Sequence, residues 1–276
     1  KGANLGELVS AHFEVPPGFV VTTIAYDEFV QKNNIGEVLG SVIDHVDPSS
    51  EASLQEASDT VCNAFMRATM PRELELEIIE AYDHLGTPSS PAFVAVRSSA
   101  TAEDLPTASF AGQQDTYLNV GSREELLMKV KKCWASLFTP RAVAYRASKG
   151  FDHRAVKLAV VVQKMVNSEM AGVMFTINPN TQQPQIIIEA GYGLGEALVS
   201  GRITPDTYIV DKDRSMINGK NISKQTWKMA RGVSGDCVHE EIPPILTGSQ
   251  KLSDNQIIEL ARIGKRIEAH YGKPMD

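Results

Sequence analysis

The sequence predicts an α+β protein in which a helix-rich first half precedes a second half built on antiparallel strands. Apolar residues between positions 50 and 85 recur at helix spacing, whereas the extended apolar segments 156–166, 172–177 and 186–189 are separated by short polar turns. The third observation is the closing segment 253–271, whose apolar face follows Ser253 as a predicted N-cap.

Composition excludes several classes of partner. The chain has 276 residues and a net charge of −7, and it lacks any basic stretch, so we expect neither nucleic acid nor membrane as a partner. No run approaches the roughly 20 apolar residues of a membrane span, and no signal peptide is evident. Cys62, Cys133 and Cys237 are far apart without CxxC spacing, which favours reduced thiols in a cytoplasm over a zinc site.

The first half is predicted to begin with a glycine-containing turn at 2–6. An extended stretch at 19–23 follows, and a helix begins near Thr23. Further helices are predicted within 124–149, where apolar residues again recur at helix spacing.

In the second half, the segments 156–166 and 172–177 are predicted to pair with each other as a hairpin. A strand at 208–211 continues the sheet, and the Asn218-Gly219 dipeptide predicts the turn through which the next strand returns. Residues 228–250 are rich in glycine, proline and charge, and they predict an exposed connection without assigned structure.

The stretch from Val94 to Val120 carries the chemistry of a phosphate site. Val94 to Val96 predict the end of a buried strand, which would place Arg97 at its carboxyl end as a fork of donors for phosphate oxygens. Hydroxyl groups and small side chains follow, and they permit close approach to an anion: Ser98, Ser99, Thr101, Ala108, Ser109, Ala111 and Gly112. An arginine held in a structural ion pair is the alternative.

Two other regions offer candidate ligand contacts. Lys1 precedes Gly2, so its ammonium could reach a phosphate, although a solvated lysine is the alternative. Gln163 and Met165 end a continuous apolar strand, whose backbone could bond an adenine ring, although Met165 fits a core position equally well.

The segment GYGLGEALVSG at 191–201 invites comparison with a dinucleotide-binding fingerprint. Its glycine spacing is not GxGxxG within a βαβ unit, so we reject that interpretation. Glu189 and Glu196 are better candidates for polar contacts to a ribose or a cation, with structural ion pairs as the alternative.

Several longer motifs together resemble one family. They are KGANLGEL from Lys1, VPPGFVVTT at 15–23, RSSATAEDLP and ASFAGQQDT within 97–116, CWASLFTPRAVAYR at 133–146, VVVQKMV at 160–166 and GLGEALVSG at 193–201. The chain resembles the amino-terminal nucleotide-binding domain of phosphoenolpyruvate synthase (pyruvate, water dikinase), which is shared with pyruvate phosphate dikinase and rifampicin phosphotransferase. This resemblance implies an ATP-grasp-like fold whose two lobes, expected at 1–162 and 163–276, clamp a nucleotide.

The resemblance also implies roles for individual residues. Lys1 and Arg97 are expected to contact ATP phosphates as catalytic groups, and Gly112, Gln113 and Thr116 to belong to a loop that covers them. The linker residues Gln163, Met165 and Val166 are expected to contact adenine. ATP and Mg²⁺ are the implied cofactors.

The implied reaction consumes water and passes phosphate from ATP to a histidine on another domain and then to pyruvate, yielding phosphoenolpyruvate, AMP and phosphate. The implied partners are therefore ATP and the phosphohistidine and pyruvate-binding domains of a longer chain. None of the six histidines matches the carrier motif, and His153 is expected to be structural. The alternatives are the same domain of rifampicin phosphotransferase and a non-catalytic nucleotide-binding module.

One departure from the family lies at the end of the chain. Members continue past KPMD with an acidic IEW-type strand and an LQxR-type strand, so we expect the second lobe to be truncated and the metal ligands to lie beyond Asp276. We therefore expect this fragment to be inactive alone. The sequence leaves the oligomeric state open, with a homodimer as one alternative.

Overall fold

The computed structural model describes residues 1–87, 90–100, 104–105, 108–109, 116–233 and 235–276. The chain divides into two compact units, Lys1–Met165 and Val166–Asp276. The first unit is rich in helices and the second is built on antiparallel sheet, which confirms the predicted α+β class.

The first unit contains seven described α-helices and six described strands. The helices are α1 (Gly2–Ser10), α2 (Thr23–Lys32), α3 (Ile35–Val42), α4 (Glu51–Arg67), α5 (Arg72–Asp83), α6 (Arg123–Ala135) and α7 (Pro140–Lys149). The strands are β1 (Gly18–Val21), β2 (Val94–Ala100), β3 (Asp104–Leu105), β4 (Ala108–Ser109), β5 (Thr116–Val120) and β6 (Leu158–Lys164). Four of these strands form a sheet in the order β1-β6-β2-β5, while β3 pairs with β4.

The sheet of the first unit buries one face against the helices. Val94 and Val96 of β2 and Val160 and Val162 of β6 are fully buried there, together with aromatic residues of the helical layer. Phe29 and Trp134 lie at the centre of that layer, with ring centroids 4.8 Å apart. Because side chains alternate along a strand, the opposite face carries Ala95, Arg97 and Ser99 of β2 and Ala159, Val161 and Gln163 of β6.

Arg146 and His153 form a polar contact inside the first unit. The Arg146 side chain is fully buried, and its Nε–H donates to His153 Nδ1 over 3.1 Å. Burial lowers the pKa of Arg146 to about 10. The contact is consistent with the structural role expected for His153.

The second unit contains a four-stranded antiparallel sheet in the order β10-β9-β8-β7. Its elements are β7 (Met170–Phe175), β8 (Gln185–Tyr192), α8 (Glu196–Val199), β9 (Asp206–Asp211), β10 (Met216–Asn221), β11 (Trp227–Arg231), β12 (Cys237–Glu241) and α9 (Asp254–Tyr271). The predicted cap of α9 is confirmed, since Ser253 and Gln256 form a reciprocal capping box. Ile257 and Ala261 of α9 pack against Ile186, Ile188 and Tyr208 of the sheet.

Three predictions about local structure in the second half are wrong. Strands β6 and β7 do not form a hairpin, because β6 pairs with β1 and β2 whereas β7 pairs with β8. Asn218-Gly219 lies inside β10 at a register shift, and the turn occurs earlier, where Asp211 accepts the backbone N–H groups of Asp213 and Arg214. The segment 228–250, predicted as an exposed connection, instead contains most of an antiparallel hairpin that β11 and β12 form between Trp227 and Glu241.

Two predictions in the first unit are also wrong. The predicted turn at 2–6 is the first part of helix α1, whose start packs on the sheet. Arg97 is the fourth residue of the seven-residue strand β2 rather than its end, because the Ser98, Ser99 and Ala100 positions continue the pairing with β6.

Candidate functional site

Arg97 lies on the face of the first sheet that points away from the helical core. In the strand register Arg97 is opposite Val161 of β6 on one side and Thr116 of β5 on the other, and Val161 is opposite Val20 of β1. Residues opposite one another in an antiparallel pair share a face of the sheet. Val20, Val161, Arg97 and Thr116 therefore form one row across four strands.

The amino end of α1 lies on this same face. The backbone nitrogen of Lys1 donates to the Ser99 hydroxyl over 3.1 Å, and Ser99 is two residues beyond Arg97 on β2. Residues two apart on a strand point to the same side, so Ser99 and Arg97 are neighbours on this face. The positive end of the α1 dipole thus lies close to the row that contains Arg97.

The charge on this face favours an anion. Arg97 is half-buried, and none of the ion pairs among the described residues involves it. This disfavours the alternative of a structural ion pair. A guanidinium beside a helix amino terminus can donate several hydrogen bonds to the oxygens of one phosphate group.

Gln163 lies on the same face, one row along from Arg97. It is opposite Gly18 and Ala95, and its side-chain amide donates to the Pro16 carbonyl over 3.1 Å. Beside it is an apolar cavity of about 540 Å³, lined in part by Val15, Pro16, Gly18, Val20, Val161 and Gln163. A cavity of this size and apolar character suits a nucleoside-sized ligand.

The other predicted adenine contacts follow β6 directly. Met165 is half-buried, and its backbone N–H already donates to the Phe93 carbonyl over 2.8 Å. Val166 is 58% exposed. The Met165 amide hydrogen is therefore already engaged, whereas the Val166 side chain is open to solvent.

Three residues were expected to belong to a loop that covers the phosphates. Thr116 is exposed at the start of β5, directly opposite Arg97. Gly112 and Gln113 lie outside the described residues. Ser98, which the sequence suggested as a hydroxyl donor, is 3% exposed and alternates with Arg97 and Ser99, so it lies on the core side of the sheet.

In the second unit the two predicted carboxylates lie on different elements. Glu189 is half-buried on β8, opposite Val173 and Thr207, on the face of the sheet that points away from α9. Glu196 is exposed and begins the four-residue helix α8. The antiparallel sheet around GYGLGEALVSG is inconsistent with a dinucleotide-binding βαβ unit, which agrees with the rejection of that fingerprint.

Sequence reasoning missed the contribution of Gly2. A Cβ at this position would lie 3.0 Å from Val20 Cγ2 and 3.6 Å from Val161 Cγ2, so glycine allows the helix to approach the row that contains Arg97. The signal was present in KGANLGEL. The two glycines suggested a turn, although one of them marks a close helix–sheet contact.

The described residues contain neither a metal-binding cluster nor a membrane-spanning helix. No group of three or more His, Cys, Asp or Glu side chains within the described ranges could hold a metal ion. None of the described helices is long and apolar enough to cross a lipid bilayer.

Comparison with known proteins shows relatives that match over the whole chain. The profile of the pyruvate phosphate dikinase AMP/ATP-binding domain matches residues 1–276. A probable phosphoenolpyruvate synthase of Archaeoglobus fulgidus is 50% identical over 277 residues, covering 100% of this chain and 37% of the relative. One from Methanocaldococcus jannaschii is 48% identical over 279 residues, with coverage of 100% and 24%. A rifampicin phosphotransferase of Bacillus cereus is 42% identical over 278 residues, with coverage of 100% and 32%.

A helix-rich unit followed by an antiparallel-sheet unit is the α+β, ATP-grasp-like architecture of a nucleotide-binding domain. The chain belongs to the family of the pyruvate phosphate dikinase AMP/ATP-binding domain. It spans between 24% and 37% of the length of the relatives named above.

Proposed function

We propose that this chain is the ATP-binding domain of a phosphoenolpyruvate synthase and that the phosphates of ATP bind beside Arg97. The observation that carries the proposal is the position of Arg97, on the sheet face that also receives the amino end of α1, and without an ion pair among the described residues. Such a site combines a planar fork of donors with a helix terminus, and both favour phosphate.

Each predicted residue has a distinct task in this proposal. Arg97 donates hydrogen bonds to phosphate oxygens and offsets the negative charge that develops during phosphoryl transfer. Lys1 adds a second cation, and Thr116 adds a hydroxyl directly opposite Arg97. Gln163 and the apolar cavity beside it receive the nucleoside.

The remaining predicted contacts complete the binding site in this proposal. Met165 and Val166 contact the adenine ring, while Gly112 and Gln113 cover the phosphates. Glu189 and Glu196 make polar contacts to ribose or cation. Magnesium bridges the phosphate oxygens of ATP and offsets part of their charge.

The acceptor of the phosphate lies outside this chain in the proposal. ATP first phosphorylates a histidine of another domain, and pyruvate then receives that phosphate; one water is consumed, and AMP and phosphate are the other products. The names and identities of the archaeal relatives support pyruvate as the acceptor. Rifampicin is the second candidate, because a rifampicin phosphotransferase is 42% identical over the same residues.

A calorimetric titration tests the binding site. The chain is titrated with ATP and Mg²⁺, beside Arg97→Ala and beside Arg123→Ala, a control whose guanidinium pairs with Asp83 instead. We expect saturable ATP binding that weakens at least tenfold in Arg97→Ala, since a charge-assisted hydrogen bond contributes about 1.5–3 kcal/mol. Equal affinities of the two variants would overturn the assignment of Arg97.

The acceptor requires the full-length protein. Incubation with ATP and either pyruvate or rifampicin, followed by detection of AMP and of the phosphorylated acceptor, separates the two candidates. We expect phosphoenolpyruvate to form. Phosphorylated rifampicin alone would overturn the synthase assignment, and ATP binding without either product would favour a non-catalytic module.

A further inference from the structure

We propose that Gly2 and Ser99 are positioning residues that seat the first turn of α1 beside Arg97 and thereby set the affinity of this face for phosphate. This inference rests on the proposed function. It concerns two residues that need not touch the nucleotide themselves, because they act through the placement of the α1 amides.

Gly2 controls how closely the helix approaches the sheet. A Cβ on Gly2 would lie 3.0 and 3.4 Å from the two methyl carbons of Val20 and 3.6 Å from a methyl carbon of Val161. The first of these distances is below ordinary carbon–carbon contact, so an alanine would push the helix start outward or displace the valine. Val20 and Val161 belong to the row that also contains Arg97.

Ser99 provides the second contact. Its hydroxyl accepts a hydrogen bond from the Lys1 backbone nitrogen over 3.1 Å, immediately before the first helical residue. Successive same-face residues on a strand are about 6.5–7 Å apart, so this bond fixes the helix start within the reach of a ligand bound at Arg97. The hydrogen bond limits the lateral position of the helix start, whereas the Gly2 contact limits its height above the sheet.

These two contacts matter because a helix dipole acts over a short range. Its favourable interaction with an anion is about 0.3–1 kcal/mol at an exposed site, rises to about 2 kcal/mol when partly buried, and is confined to the terminal turn. We therefore expect loss of either contact to weaken phosphate binding by about two- to tenfold.

Binding of inorganic tripolyphosphate and of ATP by the full chain tests this inference. The variants are Gly2→Ala, Ser99→Ala and Ser99→Thr. The control is Gly36→Ala, because Gly36 lies in the first turn of α3 and a Cβ there would have no atom within 4 Å. Thermal unfolding of each variant is measured in parallel, so that a change in stability is separated from a change in affinity.

We expect Gly2→Ala and Ser99→Ala to bind both phosphate ligands more weakly. Ser99→Thr keeps the hydroxyl and is expected to retain binding, and Gly36→Ala is expected to match the unmodified chain. Gly2→Ala and Ser99→Ala affinities equal to that of Gly36→Ala would overturn the inference. If Gly2→Ala fails to fold, the Ser99 pair alone decides. The Arg97→Ala variant separates this inference from the proposed function. If Arg97→Ala binds ATP normally, the proposed function is rejected. If Arg97→Ala binds ATP weakly while the Gly2 and Ser99 variants bind normally, only this inference is rejected.

Discussion

Asp206 and Lys251 form an ion pair of 2.8 Å in which neither side chain is exposed to solvent. The second carboxylate oxygen of Asp206 accepts hydrogen bonds from the Tyr208 hydroxyl and the Lys251 backbone nitrogen, and Ser223 donates its backbone N–H to the first. The Lys251 ammonium also donates to the Ser223 carbonyl. The network joins Asp206 of β9 to Ser223, which follows β10, and to Lys251, which lies three residues before α9.

Breaking this pair from one side is expected to destabilise the second unit strongly. Asp206→Asn leaves a buried ammonium without its counter-charge, and Lys251→Met leaves a buried carboxylate. Each change is expected to lower the free energy of unfolding by about 3–5 kcal/mol, while the double variant loses less than the sum. Urea unfolding of the three variants measures this coupling. A loss below about 1 kcal/mol in both single variants would contradict the buried pair.

Replacing Gly193 with alanine is expected to lower the free energy of unfolding for steric as well as conformational reasons. Its φ is +89°, and a Cβ there would lie 2.4 Å from the Met229 carbonyl oxygen, whereas Gly201 has φ +69° with no atom within 4 Å. Gly201→Ala therefore carries only backbone strain of about 1–2 kcal/mol, and Gly193→Ala adds overpacking of about 1–3 kcal/mol. Chemical unfolding of both variants tests the difference. Equal losses of unfolding free energy in the two variants would show that the chain near Met229 moves away from the new Cβ at no energetic cost.

Glu268 is expected to make the second unit sensitive to acid. Burial alone raises the pKa of Glu268, but hydrogen bonds from Lys212 and Thr176 outweigh it, so the pKa lies below its ordinary value. At pH values between the folded and the unfolded pKa, the unfolded state therefore binds more protons than the folded state does. The contribution of Glu268 is therefore complete above the ordinary value of 4.5 and is lost as pH falls through the folded pKa.

The variant Glu268→Gln tests this pH dependence. We expect it to lower the free energy of unfolding by about 1 kcal/mol at pH 7 and by progressively less below pH about 4. The control is Glu259→Gln, on the exposed part of the same helix. We expect it to change the free energy of unfolding little, both at pH 7 and below pH about 4. A loss in Glu268→Gln that stays constant down to pH about 3 would contradict a titrating ion pair.

Elements with strong local signals could be predicted from the sequence. Helix α9 combines an apolar face with a capping box at Ser253, and both signals are local. Helix α1 could not be predicted, because Gly2 and Gly6 have poor helix propensity and the packing of its first turn on the sheet outweighs that preference. The strand partners of β6 are likewise distant in sequence, so its adjacency to β7 in the chain was misleading.

The candidate site could be predicted in part. The sequence suggested Arg97 as a phosphate contact from its strand and its neighbours. Its position within β2 rather than at the strand end depends on the pairing with β6, which no local pattern indicates. The contact of Lys1 with Ser99 joins residues 98 positions apart, and the buried pair of Asp206 and Lys251 joins residues 45 apart. Neither contact has a local pattern, because each depends on how distant segments meet in the folded chain.

The position of the ATP phosphates is measured most directly by a crystal structure of this chain with a non-hydrolysable ATP analogue and Mg²⁺. We expect phosphate oxygens at about 2.7–2.9 Å from the Arg97 guanidinium, on the sheet face beside the first turn of α1. Phosphates bound on another surface, with the Arg97 guanidinium in contact only with solvent or protein, would contradict the proposed site.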